Sequence, residues 1–164
     1  MDKSVEHLQE AFAGESQANR RYLAFAIKAD QEGFPQVARL FRAAAAAETV
    51  HAHNHLKVLK GVKGTADNLQ EAIHGETSEF REMYPRMIAA AQAEGNKEAE
   101  RTFNFANEVE KVHAALFQKA MKNLNDKTMT DIYVCSVCGY TVEGEAPETC
   151  PVCKAVKKMF NRID

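Results

Sequence analysis

Apolar residues recur at three- and four-residue spacing along four long stretches of the chain, and Gly and Pro interrupt that rhythm at regular places. The first predicted helix runs from about Ser4 to Asp30 and stops at "QEGFP". The second opens near Pro35, a residue tolerated in a first turn, and ends at Lys60 before Gly61, the expected C-terminal cap. A third spans Asp67 to Glu94, and Asn96, just after Gly95, is placed to cap a fourth that continues to about Asn125. Each is about 25 residues, or roughly 40 Å long. Short connections favour antiparallel neighbours in a four-helix bundle, although "GVKGTA" between the second and third helices could be a crossover. Pro85 falls inside the third helix and must remove a backbone bond, so a local kink is expected there. Phe12, Leu23, Phe41, Leu56, Phe103 and Leu116 are the expected core.

The polar residues that such a bundle would turn inward form a pattern. The first helix offers Glu15, and the second Glu48 and His51 in "AAAAAETVHAH". The third offers Glu76 and Glu79 in "HGETSEF", and the fourth Glu110 and His113. Glu48 lies 33 positions after Glu15 and Glu110 lies 34 after Glu76, so each half of the helical region reads as one Glu followed by Glu-x-x-His. An i,i+3 pair shares a helix face. A single Glu-x-x-His arises easily by chance in Glu-rich helices, but two at matched offsets supply the four carboxylates and two imidazoles of a di-iron carboxylate bundle. Carboxylate oxygens suit Fe(III) and imidazole suits Fe(II). Glu79 has no counterpart in the first half, where Ala18 stands, so the two metals are expected to differ, with Glu79 and His51 exchanging at one of them. His7, His53, His55 and His74 lack such support and read as surface or packing residues.

The tail after "NDKTMTD" reads as a separate module, which places the domains at 1–126 and 127–164. Cys135-x-x-Cys138 and Cys150-x-x-Cys153 present four thiolates on two tight turns, a tetrahedral site for zinc or a single iron. A structural zinc ribbon uses the same ligands. Helical carboxylates on the same chain turn the reading toward iron, since a redox site that cycles needs an electron supply.

Composition narrows the setting. A net charge of −2 and a pI near 6.3 leave no basic footprint, so neither nucleic acid nor an anionic membrane is an expected partner. No apolar run has spanning length and the first residues lack a signal-peptide core. All four cysteines are in the tail, which suits a reducing, cytoplasmic compartment.

With Glu15, Glu48-x-x-His51, Glu76-x-x-Glu79 and Glu110-x-x-His113 followed by two CxxC knuckles, the chain resembles the rubrerythrins from end to end. The resemblance implies a mainly α protein, a ferritin-like four-helix bundle with a small C-terminal rubredoxin-like β/knuckle domain. It implies three irons per chain, two at the carboxylate site and one at the cysteines, with zinc able to substitute. Glu48 and Glu110 would bridge, Glu15 and Glu76 would bind terminally, His113 would ligate the second iron, and His51 and Glu79 would be the exchanging pair at the first. Tyr22 and Tyr84 fall where family tyrosines bond the iron-binding carboxylates. Lys154 stands where many rubredoxin-like modules place Gly, which puts the geometry of the second knuckle in question. The implied activity is reduction of hydrogen peroxide to water, with electrons from an NAD(P)H-dependent reductase entering through the cysteine-bound iron. Glu79 would relay protons. A homodimer would set one subunit's cysteine site near the other's di-iron site.

Two other classes share parts of the pattern. An iron-handling ferroxidase would use O₂ and retain more metal, but has no need of a four-cysteine inlet. A non-catalytic zinc-bearing interaction protein would be colourless.

Overall fold

The computed structural model describes residues 2–164, and the chain packs into two compact units, Met1–Lys63 and Gly64–Asp164. The first unit is a helical hairpin of α1 (Lys3–Gln31) and α2 (Pro35–Val58). Its seam is built from alanine: Ala26, Ala29, Ala38, Ala45 and Ala52 are buried, with Phe41 packed against the end of the row near the turn. Methyl groups let the two backbones approach closely. One polar side chain enters the seam, where Asn19 donates to the Ala45 carbonyl at 2.7 Å and to Thr49 Oγ1 at 2.8 Å.

The second unit pairs α3 (Thr65–Ser78) and α4 (Tyr84–Ala93) with α5 (Lys97–Lys122). A three-stranded antiparallel sheet follows, ordered β2-β1-β3, from β1 (Ile132–Cys135), β2 (Thr141–Glu143) and β3 (Phe160–Ile163). Val134 faces Thr141 on one side and Asn161 on the other. Cys135, Ala146, Cys150 and Phe160 form the small core beneath this sheet, and the Tyr140 ring meets Phe160 edge-on at 6.3 Å.

The punctuation acts as expected at three helix ends, with one exchange of roles. After α1, Gly33 takes φ +80 while its amide reaches Asp30 and that of Phe34 reaches Ala29. Gly95 repeats the arrangement after α4 at φ +70. After α2 the left-handed position belongs to Lys60, at φ 55, and Gly61 supplies the following amide, which bonds Leu56. Gly61 also leaves room for the Leu56 side chain, whose Cδ1 would lie 2.3 Å from a Cβ there and would have to rotate away. Asn96 caps α5 as expected, its side chain accepting from the Ala99 amide at 3.1 Å.

Two expectations are corrected. The third helix is not continuous, because Glu79–Met83 forms a π-helical turn between α3 and α4. Pro85 follows at the start of α4, and the carbonyls its missing N–H would have met, those of Phe80 and Arg81, lie inside that turn, so the irregularity falls just before the proline. The six expected core residues are not the buried ones: Phe12, Phe41, Leu56, Phe103 and Leu116 are half-buried and Leu23 is 37% exposed. A two-helix seam fully covers only its central stripe, and small residues hold that stripe here.

Among the described residues, no helix is long and apolar enough to cross a membrane. Asn96→Ala should cost about 1 kcal/mol of stability by leaving the first turn of α5 uncapped. Urea unfolding with an unchanged slope would show it as a lower midpoint.

Candidate metal centre

Each helical unit gathers one acidic-imidazole trio. In the first, Glu15 on α1 and Glu48 and His51 on α2 bring ligand atoms within 4.8 Å of one another. His51 Nδ1 lies 2.9 Å from Glu48 Oε2, joined across a single helical turn. That bond, then one shared with Glu15, holds the Glu48 carboxyl below its ordinary range. In the second, Glu76 on α3 and Glu110 and His113 on α5 likewise bring ligand atoms within 4.8 Å of one another. His113 Nδ1 is 2.7 Å from Glu110 Oε2 and 3.6 Å from Glu76 Oε2. The i,i+3 geometry is thus the same in both halves of the repeat.

The second trio is the more enclosed, with 28% of the His113 side chain exposed against 53% for His51. Its electrostatics follow. Burial, then a hydrogen bond to Glu110 and the charge of that residue, push Glu76 up to about 7. Burial also raises Glu79, aided by the charge of Glu76 and opposed by His113. Glu79 opens the π-helical turn, close enough to feel both residues but outside the tight trio. Carboxylates driven toward protonation lack a cation, and a divalent metal at the trio would supply it. The donor set of hard carboxylate oxygens with one imidazole nitrogen fits iron.

The two tyrosines separate. Tyr84 follows the π-helical turn, and burial, then the charges of Glu110, Glu79 and Glu76, raise its phenol. Tyr22 lies in an aromatic group with Phe25 and Phe41, centroids 6.3 and 6.1 Å away.

The four cysteines converge as free thiols. Cys135 and Cys153 sulfurs are 3.7 Å apart, and those of Cys138 and Cys150 are 3.6 Å apart. Such distances exclude a disulfide and match the roughly 3.8 Å edge of a tetrahedron with 2.3 Å metal–sulfur bonds. Burial raises the Cys138 thiol against an amide bond from Tyr140. At Cys150 burial also acts upward, but the amides of Cys153 and Val152 aim at the sulfur and the net direction is down.

The knuckles are near copies. Cys135 and Cys150 each donate their amide to the carbonyl five residues on, Tyr140 and Ala155, at 2.9 and 2.7 Å. Each also accepts from the residue four on, Gly139 or Lys154, at 2.8 and 3.0 Å. Lys154 takes φ 65 where Gly139 takes φ 84, so the Lys preserves the turn at the cost of a strained backbone, and its Nζ reaches the Pro151 carbonyl at 2.9 Å.

Sequence patterns alone did not point to Thr141. Its hydroxyl lies 3.0 Å from His113 Nε2, and nothing about a strand threonine near a knuckle marks it beforehand. The ion pair of Lys119 with Glu143, which also ties α5 to β2, was equally silent.

Comparison with known proteins bears on both parts. The family model described as "Rubrerythrin" matches residues 6–121, and "Rubrerythrin, rubredoxin-like domain" matches residues 133–161. "Rubrerythrin-2" of Clostridium acetobutylicum is 40% identical over 96% of this chain and 95% of its own length. "Nigerythrin" of Nitratidesulfovibrio vulgaris is 34% identical over 96% and 85%. A solved structure of fully reduced, all-ferrous nigerythrin covers 97% of this chain and 86% of its own, at TM-score 0.61 and 34% identity. Iron is accordingly the cofactor of both the carboxylate–histidine and the four-cysteine sites.

Two predictions follow from these geometries. Folding raises the Glu76 pKa from 4.5 to about 7, so its neutral form stabilises the metal-free chain fully below 4.5, and that contribution is lost as pH rises through about 7. Urea midpoints of the metal-free protein should fall between about pH 5.5 and pH 8 by more than those of Glu76→Gln. Lys154→Gly relieves the left-handed strain and should stabilise the cysteine module by about 1 kcal/mol, read from thermal unfolding of the zinc-loaded protein.

Proposed function

The chain belongs to the rubrerythrin family, and from that footing we propose that it is a non-haem di-iron peroxidase, reducing hydrogen peroxide to water with electrons received at the four-cysteine site. Each peroxide takes up two electrons and two protons and leaves as two waters. The observation that carries the reading is the presence on one chain of two Glu/Glu/His trios and one four-cysteine site.

Iron, when bound, supplies the electrons and the Lewis acidity. Glu48 and Glu110 are the proposed bridging ligands, Glu15 and Glu76 the terminal carboxylates, and His113 the ligand of the second iron. His51 and Glu79 are the proposed alternating ligands of the first. Glu79 suits proton delivery because burial raises its affinity for a proton. Tyr84 stands beside the acidic group, with its phenol kept protonated to donate toward it. The amides directed at Cys138, Cys150 and Cys153 stabilise thiolate charge.

We place the helical domain at 1–126 and the cysteine domain at 127–164, in a cytoplasmic homodimer fed by an NAD(P)H-dependent reductase and acting in defence against oxidative stress. An iron-storing ferroxidase would share the trios. It would have no use for a second, electron-accepting site of four thiolates.

The test is anaerobic stopped-flow absorbance of the fully reduced, iron-loaded protein. Peroxide should restore the Fe(III)-thiolate colour at least about tenfold faster than O₂, a barrier difference of about 1.4 kcal/mol. A faster reaction with O₂ would overturn the peroxidase reading. Cys138→Ser should reduce turnover with an external donor to background while sparing one oxidation of the pre-reduced carboxylate site. Loss of that single oxidation would contradict the division of roles.

A further inference from the structure

Asn107 on α5 carries the one buried side-chain oxygen or nitrogen that lacks a hydrogen-bond partner among the described residues, its carboxamide oxygen Oδ1. A buried acceptor without a donor is costly, so such an atom calls for a ligand that brings a proton to it. Its place in the fold narrows the ligand. Asn107 lies four residues after Phe103 and three before Glu110, so the three side chains share one face of α5. Phe103 meets the Tyr84 ring with 6.4 Å between centroids, and His113, one turn beyond Glu110, lies 3.6 Å from Glu76. Those two contacts run in opposite chain directions and bracket Asn107, which sets it level with the π-helical turn at Glu79–Met83, an element that packs on α5.

The turn is short of donors at the same level. The Tyr84 amide bonds the Glu79 carbonyl and Pro85 has no N–H, so the Phe80 carbonyl has neither its α-helical nor its π-helical partner. Tyr84 reaches Phe103 but does not bond Asn107. This stretch of the interface is therefore rich in lone pairs and poor in protons. Candidate oxidants divide on that property. Hydrogen peroxide carries two O–H donors, and O₂ has none. An otherwise unpaired buried acceptor favours a ligand that can pair with it and gives nothing to one that cannot.

We propose that Asn107 is a substrate-binding residue that selects hydrogen peroxide over O₂, its carboxamide oxygen accepting one O–H of the peroxide beside the carboxylate site. The inference deepens the function proposed above and rests on it for the identity of the substrate. A water molecule takes the same place between turnovers, donating to Oδ1. The neutral amide does this without adding to the negative charge of Glu76, Glu79 and Glu110, as an aspartate would.

The first test is stopped-flow reoxidation of fully reduced, iron-loaded Asn107→Leu, a side chain of similar shape without the acceptor. Reaction with peroxide should be roughly tenfold slower than in wild type, and reaction with O₂ should change less than about twofold. Equal slowing with both oxidants, or an unchanged ratio of the two rates, overturns the proposal. The peroxidase reading is judged on a different quantity, the preference of the wild type itself. A wild type faster with O₂ would sink that reading, while a lower peroxide-to-O₂ ratio in Asn107→Leu would still assign the binding role to Asn107.

Two further measurements involve no turnover and use full-length wild type loaded with zinc. A crystal structure should show an ordered water about 2.8 Å from Asn107 Oδ1. Proton–nitrogen correlation spectra should show the Asn107 Nδ2 protons exchanging freely with solvent. Protected Nδ2 protons would mean that the amide is turned the other way and donates to a carbonyl such as that of Phe80. That result, or an Oδ1 without a bound water, overturns the proposal, and either decides the matter even if Asn107→Leu fails to fold.

Discussion

Carboxylates gathered at one helix interface lose water and repel one another, and in the second unit burial first, then the hydrogen bond and charge of Glu110, raise the proton affinity of Glu76. Most features of the region answer to this constraint. His113 is wedged between Glu76 and Glu110, Tyr84 offers a phenol beside the same charges, and Glu79 stands one turn away where burial keeps its affinity for protons high. A di-cation resolves the conflict in a way that protons cannot, because it satisfies several oxygens at once. The first trio faces a milder version, with Glu48 held ionised by His51 and the site more open to water.

Much of this was legible in the sequence because the relevant signals are local. A Glu and a His three apart on one helix meet in whatever fold contains the helix, and both pairs do, at 2.9 and 2.7 Å. The CxxC spacings likewise fix two sulfurs per turn, and Gly33, Gly95 and Asn96 act within a few residues of their own positions. The matched offsets between halves then marked which acids belonged together.

What escaped was non-local or competitive. Lys60 takes the left-handed position, and Gly61 follows with a backbone that passes close to the Leu56 side chain, an arrangement set by a contact five residues back. Large apolar residues looked like core, but the seam between α1 and α2 is filled by alanines, whose small size decides how near the helices come. Thr141 matters only because a module 28 residues away in sequence docks on α5. Asn19 bonds a carbonyl on the other helix and gave no sign in its own neighbourhood.

The π-helical turn at Glu79–Met83 is a phase dislocation. An α-helix advances about 100° per residue, so one extra residue in a turn rotates everything downstream relative to everything upstream. Glu76 and Tyr84 can therefore lie near the same acidic group although their spacing of eight would, on an unbroken helix, also dictate which faces of α3 and α4 pack on α5. The dislocation decouples those two demands. Glu76 upstream and Tyr84 downstream both keep their place beside the acidic group while the rest of α4 packs on α5, and the length of this short segment becomes as much a part of the site as the identity of any ligand.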